Sequence, residues 1–438
     1  MNFKRLIDLA LKEGATEAEI FYSKGRVVNV ETQKGSVGFA EESVSDGIGI
    51  RVIAGGAFGY SSVNDPRKYE DAVRTAVKCA RARGRDPSLK GLPGPKPYKS
   101  VSGIYDPRID EMKLDACIDT TAQMVSEATK EEGVSVTFGK FSSQVSEATI
   151  INSNGIEAHE KETAAYGYID VILKKADQVS TAYDYDVSRA LDVNFPAIGS
   201  SAARLAVSSL NAVSIESKTC DVLLGPQAFA DVMEGTLLFA INSENVQKGR
   251  SSLADKIGKA VSVDGLTMVD DGLIPEGLGT SAFDDEGVPT QITKIIGDGV
   301  LETFIYDSYT AGKAGRESTG NAVRGTYQLS PKVGPHNVRF EYPRCDVIGE
   351  TKKGIYVNSI IGAHTANPIT GDFSVECRNS FIVEDGQKTK PIKSMMMSGN
   401  AFEFMSKIAA MGRDDRKLGA FVVPTVRVKD VHVTRGSQ

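Results

Sequence analysis

Ile20-Phe21-Tyr22, Val27-Val28-Asn29-Val30-Glu31-Thr32 and Gly47-Ile48-Gly49-Ile50-Arg51-Val52-Ile53 set the reading of this 438-residue chain. Short runs rich in β-branched and aromatic residues, bounded by Gly- and Ser-containing stretches, are strand signals. Residues 17–63 therefore read as an antiparallel sheet whose strands are separated by turns. Asn64-Asp65-Pro66 then predicts a helix start, because Asn or Asp caps the first N–H groups and Pro suits the first turn. Ala72, Val73, Ala76, Val77 and Ala80 supply its buried stripe, and Gly84 ends it.

Working outward, residues 83–97 hold four prolines and three glycines and form a connector. A helix follows from about Asp110 to Lys130. Strands come next at Val134–Phe141, Ala148–Asn152 and Ile156–Leu173, with Asn154-Gly155 as a hairpin turn. Residues 196–213 read as helical and lead into a strand at Asp221–Leu224. A second helix begins at Gly225-Pro226, and Phe229, Val232, Met233, Thr236, Leu237, Ala240 and Ile241 give it one apolar face. Further hairpins are expected at Gly297-Asp298-Gly299 and Asp385-Gly386. The expectation is an α+β fold. Residues 1–213 form an N-terminal domain of antiparallel sheet with helices, including the connector at about 84–99. Residues 219–438 form a mostly antiparallel β domain that opens on a helix.

Composition narrows the function. Hydrophobic residues are 41% and charged residues 25%, the usage of an ordinary folded domain. A net charge of −6 with no basic block argues against nucleic acid as a direct ligand. The N-terminal stretch Met1–Ala10 is broken by Asp8, Lys12 and Glu13 before it reaches signal length, and reads as an amphipathic helix. No apolar run reaches the roughly 18–20 residues that span a bilayer. Cys79, Cys117, Cys220, Cys345 and Cys377 are scattered and show no C-x-x-C spacing, which fits reduced, structural cysteines and a cytoplasmic protein.

The chemistry-bearing motifs are mostly negative. Gly-x-Ser-x-Gly is absent, and Gly315–Asn321 carries Asn where a phosphate loop needs Lys. His159-Glu160 has Thr163 at the fifth position and lies in a strand, where successive side chains point to opposite faces. His159, His336, His364 and His432 are too far apart in sequence to form a local metal motif. Asp270-Asp271 and Asp284-Asp285-Glu286 sit in Gly-containing loops that can bind cations but more often are solvated or capping. Met395-Met396-Met397 reads as core filler rather than a soft-metal site.

One set of segments goes further. Val269-Asp270-Asp271-Gly272, Asp284-Asp285-Glu286-Gly287-Val288-Pro289-Thr290-Gln291, Thr319-Gly320-Asn321, Thr370-Gly371-Asp372-Phe373-Ser374 and Ser398-Gly399-Asn400 resemble, in order and spacing, the TldD/PmbA family, also labelled peptidase U62 and modulator of DNA gyrase. The N-terminal half agrees more loosely, at residues 48–52, 57–60 and 152–155. In that family the TldD-type subunit bears H-E-x-x-x-H on the helix that opens the C-terminal domain, with a later cysteine completing a zinc site. Aligned on Glu234-Gly235, this chain has Pro226, Gln227 and Asp231 at those positions, and Met396 near the cysteine. Pro has no donor and Gln cannot take a proton from water, so the chain is similar to the PmbA (TldE) type without a zinc site of its own.

The resemblance implies a non-catalytic subunit of a metallopeptidase complex that degrades unfolded peptides. Zinc is then expected in a TldD-type partner and no cofactor in this chain. It also implies a homodimer when alone, while the charge balance and the lack of a long apolar run lead to the expectation of no nucleic acid and no membrane. Extended peptide is expected to bind by strand addition, with Asp284, Asp285, Glu286, His364, Thr365 and Asn367 as candidate contacts. Two alternatives stay open. One is a stand-alone metal-dependent amidohydrolase using Asp231 with His364 or Cys377. The other is a peptide-binding regulatory protein without a hydrolytic partner.

Overall fold

A computed structural model describes residues 3–436; Met1, Asn2, Ser437 and Gln438, with the parts of the sequence reading that fall on them, lie outside the described residues. The N-terminal half is one six-stranded antiparallel sheet made of two similar units. The first runs α1 (Phe3–Lys12), β1 (Glu17–Gln33), β2 (Ser36–Ala54), β3 (Ala57–Val63) and α2 (Tyr69–Arg83). After a single turn, α3 (Pro107–Asp110), the second runs α4 (Leu114–Ala128), β4 (Val134–Asn152), β5 (Glu157–Lys175), β6 (Gln178–Ser188) and α5 (Phe195–Ser208). The strand order β3-β2-β1-β4-β5-β6 places β1 against β4 at the centre. Each unit is thus a helix, three strands and a helix, an internal repeat of burial pattern that no short sequence period announces.

Strand alternation divides the sheet into two faces. Ile20, Val28 and Val30 of β1, Ile48 and Ile50 of β2, and Ile169 and Val171 of β5 point to the helices and build two cores. Asp65 caps the turn before α2 by accepting the Arg67 N–H, as its sequence predicts. Gly84 ends that helix at φ +77° and Gly155 turns the β4–β5 hairpin at φ +99°, conformations that side chains disfavour.

Two expected turns do not exist. Residues 23–26 continue β1, and residues 142–147 continue β4. The polar residues there mark a sheet face without a core against it, not a break in the strand. The helix expected from about Asp110 to Lys130 forms as α4, and the single turn α3 precedes it.

The second half contains β7 (Lys218–Leu224), α6 (Pro226–Glu234) and α7 (Leu237–Ile241). The single helix expected from Pro226 to Ile241 breaks at Gly235-Thr236. Strand Lys353–Ile361, β7, and strands Val426–Arg435, Met395–Asn400 and Asp372–Glu384 pair in that cyclic order and close as a barrel. A second sheet is centred on Thr267–Asp271 and Val338–Glu341. Pairing is antiparallel except between β7 and Lys353–Ile361 and between Val338–Glu341 and Phe421–Val423. The hairpins at Gly297-Asp298-Gly299 and Asp385-Gly386 form as expected. The core between barrel and second sheet also takes the apolar face of α6, through Ala228, Phe229, Val232 and Met233.

Candidate functional site

Because α6 commits those four residues to the core, Gln227 and Asp231, one turn apart, are left on the face toward β6. There they meet a wall of tyrosines. Tyr166 and Tyr168 of β5 and Tyr183 and Tyr185 of β6 occupy alternate positions, so all four project from the sheet face away from the helices. Tyr168 and Tyr183 stack at 5.7 Å between centroids, and Tyr166 and Tyr185 lie 6.1 Å apart. The Tyr185 hydroxyl donates to Gln227 Oε1, and Gln227 Nε2 donates to Asp231 Oδ1 at 2.6 Å. Arg416 covers the Tyr185 ring at 5.5 Å and donates to its carbonyl. Tyr185, Gln227 and Asp231 therefore form one hydrogen-bond chain at the head of α6.

Burial pushes the Asp231 carboxyl up to about 6, against the pull of the Gln227 hydrogen bond. A raised carboxylate pKa means that the native state holds a proton the unfolded state has released, so stability falls as pH rises from about 4 to about 6 and stays lowered above it. Asp231→Asn keeps an acceptor for Gln227 and has no charge to bury. It is expected to raise the melting temperature at pH 7–8 and to leave it unchanged near pH 4, as read by thermal denaturation at both pH values.

The other predicted residues fall elsewhere. Met395 and Met397 point into the core that receives α6, so Met396 points out of the barrel, beside Glu376, and does not join Gln227 and Asp231. Cys377 points inward with Met395, and burial raises its thiol pKa. His364, Thr365 and Asn367 lie exposed on the turn between two barrel strands. Thr365 donates to Gly362 O at 2.8 Å, and Asn367 Oδ1 accepts from Ile369 N at 2.9 Å, bonds that shape the turn itself.

Asp284, Asp285 and Glu286 form the buried joint between the halves. Asp284 accepts backbone N–H bonds from Glu286, Val288 and Ala322 at 2.9–3.0 Å, while burial and the Glu286 charge push its pKa up. Asp285 accepts from Arg324 N, and its carbonyl accepts from the Arg324 guanidinium. Glu286 receives Arg51 at 2.6 Å and the Ser308 N–H at 2.8 Å. Arg51 also binds Glu19 at 2.7 Å, and Glu19 binds Arg324. The chain Glu286–Arg51–Glu19–Arg324–Asp285 crosses twice between sheet and loops. Burial alone would lower the Arg51 pKa; its two carboxylates more than reverse that. Burial alone would raise that of Glu286, and Arg51 with Ser308 holds it low.

Beside this joint, a groove of about 670 Å³ separates the sheet from loops 278–285 and 322–328. β1, β2 and β4 line its floor with the short residues Ser23, Gly25, Ser45, Ser146 and Ala148, and with Phe21, Val27, Gln144 and Glu147. Glu160 and Glu162 of β5 stand at one side. Glu160 accepts the Ala282 N–H at 3.0 Å, and its pKa is raised by burial. Glu162 pairs with Arg189 at 2.6 Å. The same sheet face thus carries both the groove and the tyrosine wall.

The chain as a whole is similar to known proteins. The PmbA/TldA metallopeptidase C-terminal domain matches residues 217–435, domain 1 matches residues 18–82, and the central domain matches residues 107–210. An uncharacterised protein of Methanocaldococcus jannaschii is 32% identical over 98% of this chain and 99% of its own. The chain belongs to the PmbA/TldD family. Metalloprotease PmbA of Escherichia coli O157:H7 is 26% identical over 96% of this chain and 94% of its own. The crystal structure of TldE from Thermococcus kodakarensis superposes with a TM-score of 0.92 at 26% identity, covering 99% of both chains.

A metallopeptidase family raises the question of zinc. A catalytic zinc site needs three protein donors and an open position. At the head of α6 this family member offers Asp231, already bonded to Gln227, and neutral amide and phenol groups. Among the described residues no cluster of three or more His, Cys, Asp or Glu is placed to hold a metal. The residues present do not fit zinc. The PmbA/TldD segments quoted from the sequence contain Asp284–Glu286 and, at residues 48–52, Arg51, but not Glu19 or Arg324. The tyrosine wall was also missed, although the spacings Tyr166-x-Tyr168 and Tyr183-x-Tyr185 signal one strand face.

Proposed function

We propose that this chain is a non-catalytic subunit that pairs with a TldD-type metallopeptidase chain and helps to hold extended, unfolded peptide. The observation that carries this reading is the head of α6, where a Tyr185–Gln227–Asp231 hydrogen-bond chain stands in place of a metal-binding set. Without a metal to activate water, and with an amide at the base position, the chain has no group there to start peptide hydrolysis. The groove supports the other half of the reading, since the short residues Ser23, Gly25, Ser45, Ser146 and Ala148 along it leave room for a polypeptide backbone. Zinc belongs to the TldD-type partner, and the chain alone forms a homodimer in the cytoplasm.

The test is metal analysis, size-exclusion chromatography and a peptide-cleavage assay on the chain alone and with a TldD-type chain. We expect sub-stoichiometric zinc and no chelator-sensitive cleavage alone, and a co-eluting pair that cuts unstructured peptides and spares folded proteins. One zinc per isolated chain, lost together with activity on chelation, would instead make it an amidohydrolase in its own right. A TldD-type chain equally active without this one would also overturn the proposal.

A further inference from the structure

The two outer edges of the N-terminal sheet are treated differently. On the β6 edge, residues of the second half engage two carbonyls: Asn379 Nδ2 donates to Thr181 O at 3.0 Å and Arg416 donates to Tyr185 O. The β2 edge is covered over only part of its length. β3 pairs with residues 48–54, whereas residues 36–47 pair with β1 alone. Gly38 forms a bulge near the start of this stretch, and from Phe39 to Gly47, about 30 Å of strand, every second residue presents unpaired backbone N–H and C=O groups. This stretch contains no proline and no lysine, the residues that usually protect an edge, and it exposes Val44 (64%) and Phe39 (48%).

A second copy of the chain brings no charge to match this edge. A two-fold antiparallel pairing of identical edges sets one residue opposite itself, and the register with greatest overlap over residues 39–47 puts Ser43 on Ser43, Glu41 against Ser45 and Glu42 against Val44. Opposite charges across a strand pair stabilise it, and a second copy supplies none here. Residues 36–47 carry three carboxylates and no cation. Glu42 is held by Arg26 at 2.7 Å and Asp46 lies opposite Lys24, while Glu41 has no charged partner among the described residues. Ser45 belongs both to this edge and to the groove floor.

We propose that the free edge of β2, residues 39–47, takes up an extended cationic stretch of polypeptide as an added strand, at the mouth of the groove. Main-chain hydrogen bonds would supply most of the affinity, and Glu41 the preference for Lys or Arg. The inference rests on the peptide-handling reading above and adds a place and a charge class to it.

The experiment measures fluorescence anisotropy of labelled peptides of about ten residues on the full chain at low salt. One peptide alternates Lys and Val, a second has Glu for Lys, and a third is the Lys peptide N-methylated at its central amides. The Lys peptide should bind about tenfold tighter than the other two, and Glu41→Lys should remove most of that advantage. Glu41 is exposed, so the variant should fold normally, which its melting curve checks. Equal binding of the N-methylated peptide would show plain charge attraction and overturn strand addition. If Glu41→Lys alters self-association in sedimentation while peptide binding is unchanged, a second copy is the occupant and the proposal fails. Cleavage by the two-chain mixture without peptide binding to this chain would sink the inference alone. Binding without any cleavage by the mixture would sink the subunit reading instead.

Discussion

Arg51→Ala should lower the stability of the chain by roughly 3–5 kcal/mol, because it strips the shared cation from two buried carboxylates. Arg51 is 5% exposed, and its partners Glu19 and Glu286 are 0% and 2% exposed. Solvent cannot replace the lost charge. Glu19 keeps Arg324, so Glu286 is left with the larger penalty, relieved only by the Ser308 N–H. The expected readout is an apparent melting temperature lower by roughly 5–10 °C. A second substitution, Arg51→Ala with Glu286→Gln, removes the stranded charge and should recover part of the loss. A single variant that melts within a degree or so of the parent would show that the ion chain contributes little. Since this chain ties the sheet to the loops that roof the groove, Arg51→Ala should also weaken peptide binding.

Gly199→Val should be of similar severity for a different reason. A Cβ at this position of α5 would sit 2.0 Å from the Met124 carbonyl oxygen and 3.0 Å from Ala128 N, both backbone atoms of α4. Backbone within a helix cannot swing aside as a side chain can, so the two helices must separate. Replacing Gly by Ala in a helix interior ordinarily stabilises by about 1 kcal/mol. Overpacking a close contact costs about 1–3 kcal/mol or more, so the clash wins even for Gly199→Ala, and Val adds to it. The first repeat has its own tight contact: a Cβ on Gly59 of β3 would meet Ala76 O of α2 at 2.0 Å. Gly59→Ala should therefore destabilise as well. Denaturant titrations of the three variants check this, and an unchanged midpoint for Gly199→Ala would refute the contact.

Much of the fold can be read locally. Period-2 patterning announces β1, β2, β4 and β5, Asn154-Gly155 fixes a hairpin, and Asp65-Pro66 opens α2 where expected. The errors share one cause. Ser23-Lys24-Gly25-Arg26 resembles a turn, yet it is strand, because local composition cannot tell a strand face that fronts a groove from a break in the chain. Gly235-Thr236 resembles continuous helix for the converse reason, since the apolar face persists while the backbone changes direction.

By itself, then, the sequence determined the α+β class, the family segments, and the residue types at the head of α6: Pro226, Gln227 and Asp231. Those depend on neighbours in the chain, and side-chain chemistry is legible without coordinates. Only the tertiary structure decided that Asp284–Glu286 serve a buried joint, that Met396 points out of the barrel, that Tyr185 bonds Gln227, and that β2 keeps a free edge. Arg51 and Glu286 are 235 residues apart, and Glu19 and Arg324 are 305 apart. A carboxylate reads the same in sequence whether water or a distant guanidinium surrounds it. Strand register and the packing of the two halves make that choice.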